Sequence, residues 1–321
     1  MPAKTKFELK PGMATREAFG KALAELGKVN PNVVVLDCDL SKSTYTAEFG
    51  KLFPDRFFEC GIAESNMTAI GSGLASAGKI PFASSFSVFL LNKGFEQLRV
   101  TAAFPNVNLK IVGTHSGISI GEDGPSQMSV EDLSLACSLP GFTVMSPADE
   151  VATMALVKRA AEVFGPMFIR TGRLKVPIVY AADQVFEIGK AIQLIDGADV
   201  TLIATGLMVA ECIRASETLE AEGISARVID MHTIKPLDRD AISRAAQETG
   251  ALVVAEEHLL DAGLGVRVAQ VVAETHPAVM EFVGINNTYA ESATPDQLLD
   301  KYGLRAVNVV AAARRALGRK H

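Results

Sequence analysis

Apolar residues along this chain alternate between two arrangements, long stretches with hydrophobes three to four residues apart and short unbroken apolar runs. The first marks a helix with one buried stripe, the second a strand covered on both faces. Val33-Val-Val-Leu36 is such a run and ends in acids, as a buried parallel strand does. It follows a predicted helix over Ala14–Leu26. The alternation continues with helix Ser65–Ala77, strand Ile80–Ala83, helix Asn92–Ala103, strand Leu109–Val112 and helix Glu131–Cys137. Strand Thr143–Met145, helix Glu150–Val163 and strand Met167–Arg170 complete a first α/β unit. This is the signature of a parallel sheet with helices on both faces.

Residues 171–183, with Gly172 and Pro177, carry neither period and read as a crossing segment, dividing the chain into domains 1–182 and 183–321. A second α/β series follows, with strands Val200–Ala204, Ala226–Asp230, Ala251–Ala255 and Val279–Val283. Its helices are predicted at Val209–Ala221, Asp238–Thr249, Leu264–Ala273, Pro295–Lys301 and Val307–Leu317.

Composition narrows the function. With 321 residues, 48% of them hydrophobic, there is material for two cores and no case for disorder. A net charge of −6 and the lack of any Lys/Arg run exclude nucleic acid and anionic membrane as main partners. Cys38, Cys60, Cys137 and Cys212 are far apart and form no metal-like cluster with the histidines, so they read as small hydrophobes in a reducing cytosol. No apolar leader or membrane-length run occurs, and a soluble cytoplasmic protein is expected.

In a doubly wound sheet ligands sit at the carboxyl ends of strands, and the loops there hold the candidate chemistry. They are Asp37-Cys-Asp-Leu-Ser41, Glu59-Cys-Gly-Ile-Ala-Glu-Ser-Asn66, Ser84-Ser-Phe-Ser-Val-Phe89, and Gly113 to Pro125 with four glycines in thirteen residues. Glu64 opens a predicted helix, either as an acid complementing the helix dipole or as a carboxyl in an apolar pocket, ready to share a proton with a ring nitrogen. His115 opens the glycine-rich loop, where the glycines allow backbone to approach a ligand. Phe86 and Phe89 are either core or a stacking wall for a flat heterocycle.

Arg56-Phe-Phe-Glu-Cys-Gly-Ile-Ala-Glu64, Ser85-Phe-Ser-Val-Phe89 and Gly113-Thr-His115 followed by Gly121-Glu-Asp-Gly-Pro125 together carry a resemblance. Over nearly its whole length the chain resembles the C-terminal half of transketolases, and it is similar to the matching half of deoxyxylulose-phosphate synthase. Glu256-Glu-His258, Gly263-Leu-Gly265 and Tyr289-Ala-Glu-Ser292 agree with it. The fold so implied is a thiamine-diphosphate pyrimidine-binding domain followed by a smaller α/β domain with a mixed sheet.

The resemblance also implies roles. Glu64 matches the glutamate that hydrogen-bonds the pyrimidine nitrogen and favours its imino tautomer, and Phe86 and Phe89 match the stacking wall. His115 matches a histidine near the reacting carbonyl of the donor sugar, Asp123 an acid that reads a sugar hydroxyl, and Asp39 an acid near the cofactor. Arg16 and Arg170 match arginines that clamp a terminal phosphate. The chain departs from the pattern at Gln127, where relatives commonly have His, at Ala63 and at Asn92.

No Gly-Asp-Gly occurs to bind the cofactor's diphosphate and its Mg2+ or other divalent cation; Glu122-Asp-Gly124 and Ile195-Asp-Gly197 lack the matching Asn. The resemblance therefore implies half a site: the C-terminal subunit of a split transketolase, paired in an α2β2 assembly with an N-terminal subunit that holds the diphosphate and the metal. Such an enzyme moves a two-carbon ketol unit from a ketose, often phosphorylated, to an aldose. The beta subunit of a 2-oxo-acid dehydrogenase and a non-catalytic regulatory chain are the competing readings.

Overall fold

The computed structural model describes residues 7–320, and among these the strands form three sheets. The largest has seven strands in the spatial order Thr233–Lys235, Thr143–Met145, Met167–Arg170, Lys110–Thr114, Ile80–Phe86, Val33–Asp37 and Phe57–Glu59. Neighbours run parallel except at the Thr233–Lys235 edge. The second sheet orders Val279–Ile285, Ala251–Leu259, Val200–Ala204, Ala226–Asp230 and Ile192–Ile195, the last antiparallel to its neighbour. Lys10–Ala14 and Lys175–Ile178 form an antiparallel ribbon. The chain thus adopts the expected α/β architecture, a helix-covered parallel sheet followed by a smaller unit with a mixed sheet.

Side-chain alternation along the strands explains the layering. Val35, Phe82, Val112 and Ile169 join Phe19, Leu23 and Leu156 in one buried cluster, from the helices Thr15–Val29 and Glu150–Glu162. Leu36, Ala83, Ile111 and Phe168 join Met67 and Leu90, from the helices Glu64–Ser76 and Ser87–Gln97, in another. Central strands Val33–Asp37 and Lys110–Thr114 are buried at every residue, which is why their sequences read as unbroken runs.

Local differences from the sequence pattern have physical causes. The strand predicted to end at Ala83 continues to Phe86, because Ser84 and Ser85 are fully buried and the Ser84 hydroxyl donates to the Val112 carbonyl. The helix expected from Asn92 begins at Ser87 and passes into a π-helical turn over Leu98–Ala103. Within the crossing segment Lys175–Ile178 is a strand, held by pairing with Lys10–Ala14 rather than by its own pattern. Thr233–Lys235, only three residues long, is contributed by the second half of the chain to the first sheet. Asp149 fixes the exit of the crossing segment. One carboxylate oxygen caps its helix through the Ala152 amide, and the other accepts the amides of Val179 and Tyr180.

Candidate active site

Three adjacent parallel strands bring the chemistry-bearing segments to one sheet edge. Register pairs Asp37 with Ser84 and Phe86 with Thr114, so the loops after Val33–Asp37, Ile80–Phe86 and Lys110–Thr114 open side by side.

Glu64 is the first residue of its helix and 1% exposed. Its Oε1 accepts the Ser85 hydroxyl at 3.0 Å and its Oε2 the Lys93 ammonium at 3.2 Å. The pocket is therefore polar, not the apolar one expected, and the carboxylate is paired. Lys93 carries no signal of this role in the sequence; its position on the helix that starts just after Phe86 brings it back over the Glu64 helix. The Lys93 ammonium also lies 4.6 Å from the centroid of the Phe89 ring, a cation–π contact.

Phe86 and Phe89 lie nearly parallel, with centroids 5.7 Å apart and planes 9° apart. The His115 ring also stacks on Phe86, with centroids 3.7 Å apart. His115, Phe86 and Phe89 are thus a continuous wall of rings leading to Lys93 and Glu64. His115 adopts a left-handed backbone, φ 57°, which turns the chain sharply out of its strand. Arg16 Nη1 stands 3.1 Å from His115 Nε2, and the Thr114 hydroxyl stands 2.8 Å from Nδ1. A guanidinium has only donors, so Nε2 accepts and Nδ1–H donates to Thr114, whose own hydroxyl points to the Ser85 carbonyl. Burial, with Arg16 and Arg173 adding like charge, pushes the His115 pKa down to about 3, so the ring is neutral at physiological pH.

Arg16 is held at the mouth. It donates to the Ser43 carbonyl, lies over the Tyr45 ring, and feels the charges of Asp123 and Arg173. Asp123 is exposed on the glycine-rich loop. Arg170 is elsewhere, and its expected place as a phosphate clamp is corrected. It is 6% exposed, its Nε is 2.8 Å from Asp132 Oδ2, and its Nη2 donates to the Glu257 carbonyl in the second unit. Ser87 donates to the same Asp132 oxygen, so the Arg170 guanidinium is locked into an ionic staple between the two halves. Arg173, three residues on, is the arginine that shares the mouth with Arg16. It is partly exposed and bonded to the Ile120 carbonyl and Glu122. The two arginines are hard to separate by sequence because they lie three residues apart; that Arg170 ends a strand buried at every residue, while Arg173 lies beyond it, was the available signal.

Two acids close the first loop. Asp39 is exposed with φ 61°, and its amide donates to Glu59 Oε1 at 2.6 Å. Asp37 is buried, accepts from Thr44, Thr46 and the Leu40 amide, and is pushed up to about 6 by desolvation. Asn92 is exposed and donates to Glu131, while Gln127 is bonded to its neighbour Ser126. Ala63 has no polar side chain to offer the Glu64 carboxylate. The glycines of the loop have a packing role within the chain itself. A Cβ at Gly117 would fall on the Glu257 carboxyl group, and one at Gly124 on Ser292 Oγ. Gly117, Gly121 and Gly124 thus admit the second unit of the chain.

Among the described residues no group of three or more His, Cys, Asp or Glu is placed to hold a metal ion, and no helix is long and apolar enough to cross a membrane. A buried carboxylate at a helix start beside a wall of parallel rings does fit a flat, nitrogen-bearing heterocycle. The transketolase pyrimidine-binding domain matches residues 11–178 and the transketolase C-terminal domain residues 189–309. The chain belongs to the transketolase family. It is 36% identical, over 95% of both chains, to the 6-deoxy-6-sulfo-D-fructose transketolase subunit SqwH of Clostridium sp. (strain MSTE9). Human transketolase is 38% identical over 98% of this chain, which spans 51% of that enzyme's length. A solved structure described as a split gene transketolase, inactive beta4 tetramer, superposes with a TM-score of 0.91 at 50% identity, covering 97% of this chain and 100% of the other.

Proposed function

We propose that this chain is the C-terminal subunit of a split thiamine-diphosphate-dependent transketolase, a cytoplasmic enzyme that moves a two-carbon ketol unit from a ketose to an aldose. The observation that carries the reading is the buried Glu64 carboxylate, which a ring stacked along Phe86 and Phe89 would reach by displacing Lys93. In this reading Glu64 holds a proton against the pyrimidine nitrogen, and the two phenylalanines orient the ring and exclude water. Bound thiamine diphosphate supplies an electron sink next to the carbonyl carbon of the sugar.

Neutral His115 presents Nε2 as an acceptor for a sugar hydroxyl beside that carbonyl once Arg16 turns to a substrate anion. Asp123 accepts from a sugar hydroxyl, and Asp39 stands at the edge of the ring pocket. Arg16 and Arg173 suit a terminal phosphate or sulfonate by their guanidinium forks. That one relative is a sulfosugar transketolase subunit agrees with an anionic substrate terminus. The diphosphate and its divalent cation are assigned to an N-terminal subunit in an α2β2 assembly. Alone, the chain forms a homotetramer without turnover, a reading supported by the inactive beta4 tetramer of the 50% identical split gene transketolase.

The test combines the chain with its diphosphate-binding partner, thiamine diphosphate and Mg2+, and follows ketol transfer. Transfer that needs both subunits and is lost in Glu64→Ala supports the reading; equal rates for wild type and Glu64→Ala reject it.

A further inference from the structure

The loop from His115 to Pro125 is held from outside its own sheet at intervals along its length. The Ser119 amide donates to Glu257 Oε1 at 2.6 Å, and the same buried carboxylate packs against Gly117. A Cβ at Gly121 would lie 2.9 Å from Pro295 Cδ. Close by, Ser292 Oγ donates to the Glu122 carbonyl at 3.0 Å and fills the space beside Gly124. Every one of these partners belongs to the second half of the chain. Asp123 therefore sits between two neighbours, Glu122 and Gly124, that both touch Ser292, with Pro295 against Gly121 just before them. The tethering segment is itself set in shape, since Asn287 and Ala290 have φ of 43° and 64° and Thr294 forms a capping box with Gln297.

We propose that the second domain positions the loop that carries His115 and Asp123, and that Glu257, Ser292 and Pro295 are specificity-determining positioning residues for the sugar. The inference rests on the proposed function for its substrate and on the contacts alone for its geometry. Within its own half the loop is anchored by the buried Ile118 and Ile120 and by Arg173 on the Ile120 carbonyl, while three positive-φ glycines and an exposed tip leave it pliant. The Glu257 carboxylate at its middle and the Ser292 hydroxyl near its tip add the ordering that comes from the second half. The coenzyme ring is assigned to Glu64, Phe86 and Phe89 on other elements, and Ser292 holds the loop near Asp123, at the end away from His115 and its stack on Phe86, so loss of the Ser292 tether acts on the sugar.

The experiment has two arms. In the isolated chain, amide hydrogen exchange is read across residues 115–125 for Ser292→Ala, Glu257→Ala and Glu257→Gln. Ser292 is exposed, so its variant folds even where loss of the buried Glu257 does not. Loss of one tether is expected to speed exchange in the loop about tenfold, the equivalent of one hydrogen bond. Glu257→Gln, which keeps an acceptor oxygen for Ser119, restores most of the protection. In the assembled enzyme Ser292→Ala raises the KM for the sugar and leaves thiamine diphosphate affinity unchanged. Unchanged loop exchange in Ser292→Ala and Glu257→Ala overturns the proposal, as does faster exchange with an unchanged sugar KM. If the wild-type assembly transfers no ketol group, the functional reading falls, and the exchange arm then decides on the brace.

Discussion

Lys93 reaches Glu64 at 3.2 Å while its ammonium lies 4.6 Å above the Phe89 ring, so one flexible cation covers both the carboxylate and the aromatic face in the free chain. A heterocycle that stacks there and bonds Glu64 has to displace it. The Lys93 end of the pair is 49% exposed and free to swing into solvent, whereas the Glu64 end is 1% exposed and needs a replacement partner, which a ring nitrogen supplies. Lys93→Met, which keeps the apolar stem over Phe89 and leaves the buried Glu64 without its cation, is therefore expected to tighten thiamine diphosphate binding to the assembled enzyme. Calorimetric titration checks this; weaker binding would mean that Lys93 holds the coenzyme instead of yielding to it.

Arg170 and Arg173 are expected to separate cleanly under substitution. Arg170→Ala leaves Asp132 buried without its cation and costs about 3–5 kcal/mol of stability, read as a lowered melting temperature. Arg173→Ala leaves stability nearly unchanged and raises the KM for a phosphorylated or sulfonated sugar, while its effect on an uncharged sugar is small. The reverse pattern would return the clamp to Arg170.

His115→Asn, which keeps a hydrogen-bonding amide but no ring, is expected to raise the donor-sugar KM and to loosen the Phe86 stack without changing the acid limb of the pH–rate profile. His115 is already neutral above about pH 3, so it contributes no titration near neutrality. An acid limb that disappears in His115→Asn would show that the imidazole titrates in turnover.

Stability should fall as pH rises through a window set by Asp230. Full burial, with the Asp149 charge adding to it and the Tyr180 hydroxyl on Oδ2 only partly opposing it, pushes its carboxyl up to about 8 from 3.8. Below 3.8 it is protonated in both folded and unfolded chains and costs nothing. Between 3.8 and about 8 folding must take up a proton, so stability declines, and above that range the loss is complete. Asp230→Asn is expected to flatten this slope and to raise the melting temperature more at the alkaline end of the window than at the acid end. Parallel pH curves for wild type and variant would contradict the assignment.

The fold was legible where burial is two-sided. Val33–Asp37 and Met167–Arg170 announce themselves as apolar runs, whereas Thr233–Lys235 and Ile192–Ile195 depend on partners far away in sequence and carry no period of their own. Glu64, Phe86, Phe89 and His115 come together as a site because their motifs mark the ends of adjacent strands. What sequence does not disclose is which member of a cluster faces inward. Arg170 against Arg173 is one case, and Lys93 as a partner of Glu64 is another, because both turn on side-chain direction within a single helical or extended turn. The loop glycines are a related case: close approach was readable, but that the second half of the chain makes it was not.

The most direct measurement is a crystal structure of the assembled enzyme with thiamine diphosphate and Mg2+. The expected result is a pyrimidine ring stacked on Phe86 and Phe89, with its nitrogen within hydrogen-bond distance of Glu64 and Lys93 swung away. A ring bound elsewhere, with Glu64 still paired to Lys93, would contradict the account.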